Sequence, residues 1–539
     1  MGHDLADSIG MNRAAKPGLT ERLAAITPAQ WWRLLALAAL LGTAAHALTS
    51  LALPFGWDHG IMASAASPFA HGGMPYADSW DMKGPLAYLP YALVEMLFGR
   101  TMWGTRILDL ALMGAGCFAF YRLVWALSDR VAGIVAALAL YYWLAAGGFF
   151  FTAEPDVWAT VLSAVAFGPV LLKSDRPEIR AMFVAGLIVG CIGLMKPVYW
   201  ALGILPLMVI LMAGGLSLQR RFVLAVVLGL SAALPVALIL AWFAAKGALD
   251  DMIEVVLLYN LESYGGLGGG IDLKGGLAAF LARPTVALLL PFIALGGWSL
   301  RGRPVILWPV IGWSAAILLG VVIQDKYYYY HWLPLYAPML LLAAVGAARL
   351  WRERSSALAP SFVAIAAMLA FFAQVCTLPL YDVAKAGYYL VLKRSPELFY
   401  SSYAFRPGQG IAKEQNYTAG DEMAAAEYIA ANSAPDEGLF VWGNNATAGY
   451  LADRPNPTRF VMEMPLSIDS PYRAQYRAEA MAALTATPPK FIIVGINWWT
   501  PSPRAEVLAN FPEFATFLEQ NYQYDRSFGA IDVYRMDAN

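Results

Sequence analysis

The chain has 539 residues, with 37 Lys and Arg against 38 Asp and Glu for a formal net charge of −1, and it is 59% hydrophobic but only 14% charged. A soluble domain carries roughly 45–50% apolar and 25% charged residues and keeps most of its area in water, so the apolar excess here must face lipid. The composition excludes intrinsic disorder, the balanced charge excludes a basic nucleic-acid footprint, and Cys117, Cys191 and Cys376, each in an apolar run, support neither a disulfide framework nor a thiolate metal site.

A helix needs about 20 apolar residues to cross a hydrocarbon core about 30 Å thick. The first such run, 34–54, follows a tail (1–33) carrying Arg13, Lys16, Arg22 and Arg33. That order predicts a retained anchor with the N-terminus in the cytoplasm. Further runs lie at 104–125, 131–151, 157–172, 181–195, 198–215, 222–244, 284–300, 304–323, 331–348 and 358–377. If the helices alternate, one side receives Arg122/Arg130, Lys173/Arg176/Arg180, Arg220/Arg221, Arg301/Arg303 and Arg349/Arg352/Arg354, a positive-inside bias repeated at every such loop. The prediction is a mainly α polytopic membrane protein with about eleven transmembrane helices across 34–377.

Two insertions interrupt the pattern. Residues 84–99 (GPLAYLPYALVEMLFG) are apolar, but about 14 helical residues rise only about 21 Å, and Pro90 and Glu95 fall inside. They are read as an interfacial helix within one external loop, 54–103. The second insertion, 246–283, holds the glycine-rich stretch 264–276 (YGGLGGGIDLKGG). No predicted strand precedes it, so it reads as a flexible external loop and not as a dinucleotide fingerprint. From 378 to 539 charges and turn residues return. Strand-length runs at 438–443, 490–495 and 532–536 alternate with helical patterns at 419–432, 470–485 and 503–521. This predicts a soluble α/β domain outside the membrane.

On this topology Asp58, His59, His71, Asp78, Asp81, Lys83, Glu154, Asp156, Lys196, Gln324, Asp325, Lys326 and His331 all fall on the outer face. Ionisable groups beside hydrocarbon are costly unless they pair or do work, so their one-sided clustering points to a cavity open to the outer leaflet. Asp58, in FGWDHG, is expected just past the end of the first helix. The run 72–86 (GGMPYADSWDMKGPL) presents Tyr76, Asp78, Trp80 and Asp81. Rings interleaved with carboxylates suit a sugar, whose faces stack on aromatics while its hydroxyls take hydrogen bonds. Glu154 or Asp156, at an external turn, supplies a second acid, and 326–334 (KYYYYHWLP) adds Tyr327 and His331. Lys83, Lys196 and Lys326 are candidate point charges for a phosphate. Of cofactors, only a divalent metal finds candidate ligands, the weak pair His59 and His71 with a nearby acid. The sequons at Asn416 and Asn445 are read as chance.

An Asp soon after the first helix, then G-x-P-Y-x-D-x-W-D-x-K-G-P-L, an acid after the third helix, K-Y-x-x-x-x-x-L-P and a soluble tail domain make an ordered set. The set resembles the GT-C superfamily of polytopic glycosyltransferases, in particular bacterial relatives of protein O-mannosyltransferases and of the lipid A aminoarabinose transferase. The resemblance implies transfer of a sugar from a polyprenyl-phosphate-linked donor to a lipid or glycan acceptor at the outer face of the cytoplasmic (inner) membrane, with inversion. It implies Asp58 as general base, Lys83 on the lipid phosphate, and Glu154 or Asp156 at the second acidic position. Asp58-His59 stands where the mannosyltransferases carry an Asp-Glu pair, which argues against protein mannosylation. The residues read alone agree. Breaking an anomeric bond passes through an oxocarbenium-like state, a carboxylate base contributes about 10²–10⁴-fold, and a lysine stabilises the departing phosphate. A transporter or lipid flippase would place its charges near the bilayer midplane and often shows internal repeats. A polysaccharide polymerase or ligase would be expected to carry arginine-rich external loops. Neither pattern is found.

Overall fold

The computed structural model describes residues 28–267, 272–353, 358–405, 417–495 and 508–537. Arg13, Lys16, Arg22, part of the glycine-rich stretch and Asn416 lie outside them. The chain divides into two compact units, 1–48 and 49–539. Helix α1 (Pro28–Ser50) lies almost wholly in the first and meets the length and composition of a membrane span over Arg33–Ser50.

The second unit begins with α2 (Trp57–Ala70) and α3 (Leu89–Phe98). A bundle follows: α4 (Met102–Leu127), α5 (Arg130–Ala145), α6 (Pro155–Leu172), α7 (Ile179–Met195), α8 (Ile204–Met212), α9 (Leu218–Ala245), α10 (Leu273–Leu281), α11 (Pro284–Leu300), α12 (Pro304–Gln324), α13 (Tyr336–Arg352) and α14 (Leu358–Ala386). The protein is therefore a multi-pass membrane protein. Among the described residues seven helices are long and apolar enough to cross, or eight if α10 and α11, bent by 81°, form one span. The expected count of about eleven falls to this because Arg130–Ala145, Ile179–Met195 and Pro197–Met212 are apolar helical segments of only 10–17 residues, as is Pro85–Phe98, which was not counted as a span. At 1.5 Å per residue they rise about 15–25 Å, short of the hydrocarbon thickness.

Small residues let these short helices pack. A Cβ at Gly186 of α7 would stand 2.4 Å from the Leu228 carbonyl of α9, and one at Gly190 would stand 2.3 Å from that of Ala232. Such i, i+4 small pairs allow close backbone approach in lipid. Inside the bundle Trp143 of α5 stacks on Tyr336 of α13 at 3.6 Å.

Two elements differ from expectation. Asp58 was expected past a helix end; it sits instead in the first turn of α2, whose WDHGIMASAASPFA sequence is too mixed to read as a span. The insertion 246–283 was expected to be a flexible loop. Its described residues are largely helical, with Leu249–Ile253 followed by an 11-residue π-helical stretch, Glu254–Tyr264. That stretch buries Val255, Tyr259 and Ser263, one side chain every fourth residue.

The C-terminal domain contains α15 (Ala419–Ala431), β1 (Leu439–Trp442), α16 (Ala446–Ala452), α17 (Arg473–Ala486), β2 (Phe491–Val494), α18 (Pro512–Asn521), β3 (Tyr522–Phe528) and β4 (Ile531–Met536). Its sheet runs β1–β2–β4–β3, with β1 and β2 parallel and the other pairs antiparallel. Successive side chains of a strand point to opposite faces. Val441 and Ile493 accordingly join the cluster of α15, while Trp442 and Val494 join that of Phe514 and Leu518. The domain docks on the first loop: Trp80 N–H donates to the Arg459 carbonyl at 2.6 Å, and Arg459 Nη1 donates to the Tyr76 carbonyl at 2.8 Å. Arg459 also pairs with Glu479 at 2.8 Å and with Glu254 at 3.5 Å, joining the domain to the π-helical stretch.

Candidate active site

A cavity of about 1000 Å³ opens where these parts meet. Its wall takes Asp58 from α2, Asp81 and Lys83 from the first loop, Glu154 from the α5–α6 turn, Asp156 from the first turn of α6, Lys196 after α7, Tyr264 from the π-helical stretch, and Tyr328, Tyr330 and His331 before α13. Asn444, Met462 and Met464 of the C-terminal domain complete it.

The segment carrying Lys83 is strapped into place. Gly84 N–H donates to the Met195 carbonyl at 3.0 Å, and a Cβ at Gly84 would stand 2.1 Å from the Leu194 carbonyl, so only glycine fits. This contact sets Lys83 beside the end of α7, where Lys196 begins the next turn. Behind it, the Tyr76 and Tyr88 hydroxyls donate to the Lys83 carbonyl at 2.8 and 3.0 Å. Lys83 Nζ then lies 3.5 Å from Asp58 Oδ1 and 3.7 Å from Asp81 Oδ2, with Asp58 34% exposed and Lys83 19%. Asp58 benefits from its place in the first helical turn, where the aligned peptide dipoles favour an anion.

The opposite acid is held differently. Lys196 Nζ donates to both Asp156 oxygens at 3.0 Å, and the Tyr199 hydroxyl donates to the same carboxylate. Between the two arms stands Glu154, 2% exposed, with Oε1 lacking a hydrogen-bond partner and 3.9 Å from His59 Nδ1. His59 Nδ1 accepts the Gly56 N–H at 3.0 Å, so its proton sits on Nε2, which donates to the Thr152 carbonyl. Burial, with the charges of Arg106 and Lys83, holds its pKa well below the ordinary histidine range, and the ring is neutral.

Burial, reinforced by the Asp58 charge, pushes the Glu154 carboxyl well above the usual carboxylate range, against the pull of Lys83. Asp81 is raised by burial and by Asp58, again opposed by Lys83. Burial works to lower the Lys83 pKa, but Asp58, Asp81 and Glu154 overcome it and hold the ammonium above its ordinary range. Lys83 is therefore charged throughout, and the acids around it compete for its one charge.

The structure thus brings together Asp58, Asp81, Lys83, Glu154, Asp156, Lys196 and His331. It turns other candidates away from the cavity. Tyr76, in a left-handed conformation (φ 72°), is buried against Tyr88 and Phe243 and serves as a prop for Lys83. Trp80 is buried between Tyr259 and Tyr476, at the seam with the C-terminal domain. Asp78 accepts the Met74 N–H at 2.7 Å and shapes its own turn. Lys326 is fully buried and donates to the Tyr264 carbonyl at 2.8 Å, so it braces the end of the π-helical stretch. Tyr327 also packs away from the cavity, against Gly276. His71 bonds Glu95 at 3.0 Å, twelve residues from His59, which along a helix is about 18 Å. Among the described residues no three His, Cys, Asp or Glu side chains gather as metal ligands. With both His59 nitrogens engaged and His71 remote, the donor set does not fit the divalent metal considered from sequence. Asn445, the second sequon, is fully buried.

Sequence reasoning missed Tyr264, Asn260 and the methionines of the C-terminal domain, because their approach depends on contacts between distant segments. Tyr328 and Tyr330 lay within the four-tyrosine run, and nothing in that run separates the rings that line the cavity from Tyr327, which does not.

No known protein-family profile matches the chain, and no curated protein matches it by sequence. Solved structures do. The chain is similar to ArnT from Cupriavidus metallidurans bound to undecaprenyl phosphate, with 14% identity, 95% of this chain and 99% of that chain covered, and a TM-score of 0.60. It is similar to the apo state of that protein at 14% identity, 94% and 98% coverage and a TM-score of 0.58. An oligosaccharyltransferase from Archaeoglobus fulgidus, tethered with an acceptor peptide, is 13% identical over 93% of this chain and 74% of that chain, at a TM-score of 0.48 too low to argue from. The ArnT likeness spans almost the whole of both chains, so the fold the two share runs through the C-terminal domain as well as the helical bundle.

Proposed function

We propose that the protein is a membrane glycosyltransferase that moves a sugar from a polyprenyl-phosphate donor to an acceptor hydroxyl at the outer face of the cytoplasmic membrane. The observation that carries this reading is the cavity itself: a cation shared loosely between two carboxylates, beside an apolar wall of Val198, Leu257, Leu261 and Ile323. The wall suits an isoprenoid chain and the polar end suits a sugar phosphate. A shared fold with a protein crystallised with undecaprenyl phosphate adds support.

In this reading Lys83 moves from the carboxylates to the donor phosphate, where charge grows as the anomeric C–O bond breaks and its electron pair passes to the phosphate oxygen. Asp58, the more accessible carboxylate, takes the proton of the acceptor hydroxyl as that oxygen bonds to the anomeric carbon from the opposite face. Glu154, raised by burial, stands beside the developing positive charge, and Lys196 holds Asp156 fixed through both carboxylate oxygens. The residues α3 exposes, Leu93, Met96 and Leu97, form an apolar edge suited to the bilayer interface. The C-terminal domain, which closes the cavity with Met462 and Met464, would meet the acceptor.

Mass spectrometry of envelope glycolipids and glycans, with the gene present and deleted, tests the proposal. Loss of one sugar from one class of molecule is the expected result. Unchanged glycans accompanied by a transport defect would refute it.

A further inference from the structure

The two acids proposed to act together, Asp58 and Glu154, sit on segments 96 residues apart, and neither segment reaches the other through regular secondary structure. Both converge on one side chain. Arg106, in the first turns of α4 and 1% exposed, donates through Nη2 to the Pro54 carbonyl at 2.6 Å, just ahead of α2. Through Nη1 it donates to Thr152 Oγ1 at 2.6 Å and to the Thr152 carbonyl at 3.2 Å, and Nη2 also reaches the Phe149 carbonyl at 3.2 Å. The planar guanidinium thus spans both segments, something a lysine ammonium on a flexible stem reproduces poorly.

The turn depends on such bonds. His59 donates to the same Thr152 carbonyl, and the Tyr91 hydroxyl takes the next one, that of Ala153, at 3.0 Å. Ala153 is a non-glycine residue at φ 59°, a conformation that persists only where its surroundings impose it. Burying an arginine in an apolar bundle is expensive unless its donors are filled; here Nε is left without a partner, and both Nη groups are spent on the Thr152 hydroxyl and on backbone carbonyls of the two segments that present the acids. Resting on the functional reading above, we infer that Arg106 is a positioning residue: it sets the separation of Asp58 and Glu154 across the cavity without touching substrate.

The test uses the full chain purified with lipid, comparing Arg106→Lys, which keeps the charge, with Thr152→Val, which removes the hydroxyl that accepts from Arg106 Nη1 and donates to the Gly148 carbonyl. Misplacement of reacting groups by about 1 Å costs about 10²-fold. Arg106→Lys is expected to lower kcat by about that factor and Thr152→Val by about tenfold, each with the KM for a polyprenyl-phosphate sugar within about threefold of wild type. Should Arg106→Lys fail to fold, Thr152→Val carries the test. Hydrogen exchange provides a readout independent of activity: peptides covering 54–60 and 148–157 should lose protection together in either variant. Undiminished kcat, or loosening of one segment alone, overturns the inference. Absence of transfer by the wild type would instead fail the functional reading, and the exchange experiment would still decide whether Arg106 joins the two segments.

Discussion

The cavity has two lysine arms built on different terms. On the α7 side, Lys196 grips Asp156 through both oxygens at 3.0 Å, and Tyr199 completes the set. On the first-loop side, Lys83 stands 3.5 and 3.7 Å from two carboxylates and belongs fully to neither. A saturated, buried pair has little to gain from a ligand and much to lose when broken. A loosely shared cation can exchange one anion for another. The difference teaches that charge alone did not distinguish the candidate lysines: one arm reads as scaffold and the other as chemistry.

The largest expected effect lies on the loose arm. Asp58→Asn should leave a folded protein that binds donor normally and transfers sugar about 10²–10⁴-fold more slowly, the span expected for a lost general base; turnover assays on purified protein check this. The tight arm should fail in another currency. Lys196→Met leaves Asp156 buried without its cation and with only the Tyr199 hydroxyl donating to it, and should destabilise the fold by about 3 kcal/mol, the low end for such pairs because Lys196 is 22% exposed. A thermal melt of that variant matching wild type would erase the contrast between the arms.

A smaller effect concerns the docked domain. Burial pushes Glu422 and Glu463 up to about 8 from 4.5. Between those values the folded protein holds protons that the unfolded chain has released, so stability is full below about pH 4.5 and declines as pH rises through about 8. Unfolding of wild type against Glu422→Gln and Glu463→Gln between pH 5 and 9 should show a decline that each substitution weakens. The smallest effect is predicted for Lys326→Met. Its ammonium points at the Tyr264 carbonyl and not into the cavity, so polyprenyl-phosphate affinity should change by less than about threefold.

Much of this was legible in the sequence where the signal is local. Apolar runs of helix length became helices, and the short continuous apolar runs in 438–443 and 490–495 became β1 and β2 because each strand has two covered faces. Asp58, Lys83, Glu154 and Asp156 were identifiable as polar residues at the edge of apolar runs. What stayed hidden was which way the aromatic residues face. Tyr76 and Trp80 look like sugar platforms in GMPYADSWD, yet their direction is decided by Tyr88, Tyr259, Tyr476 and the carbonyl of Arg459, more than 370 residues away from Trp80 for the last. The α2 helix escaped for a related reason: its Ala- and Ser-rich faces are covered partly by α16, where a Cβ at Gly60 would stand 2.5 Å from Thr447 N.

The most direct test of the account is the affinity of purified wild type and Lys83→Met for undecaprenyl phosphate in lipid nanodiscs, with Lys196→Met alongside. One charge-assisted bond is worth roughly 1.5–3 kcal/mol, so Lys83→Met should bind about 10- to 100-fold more weakly while melting like wild type. Wild-type affinity in Lys83→Met, or no measurable binding by the wild type itself, would contradict it.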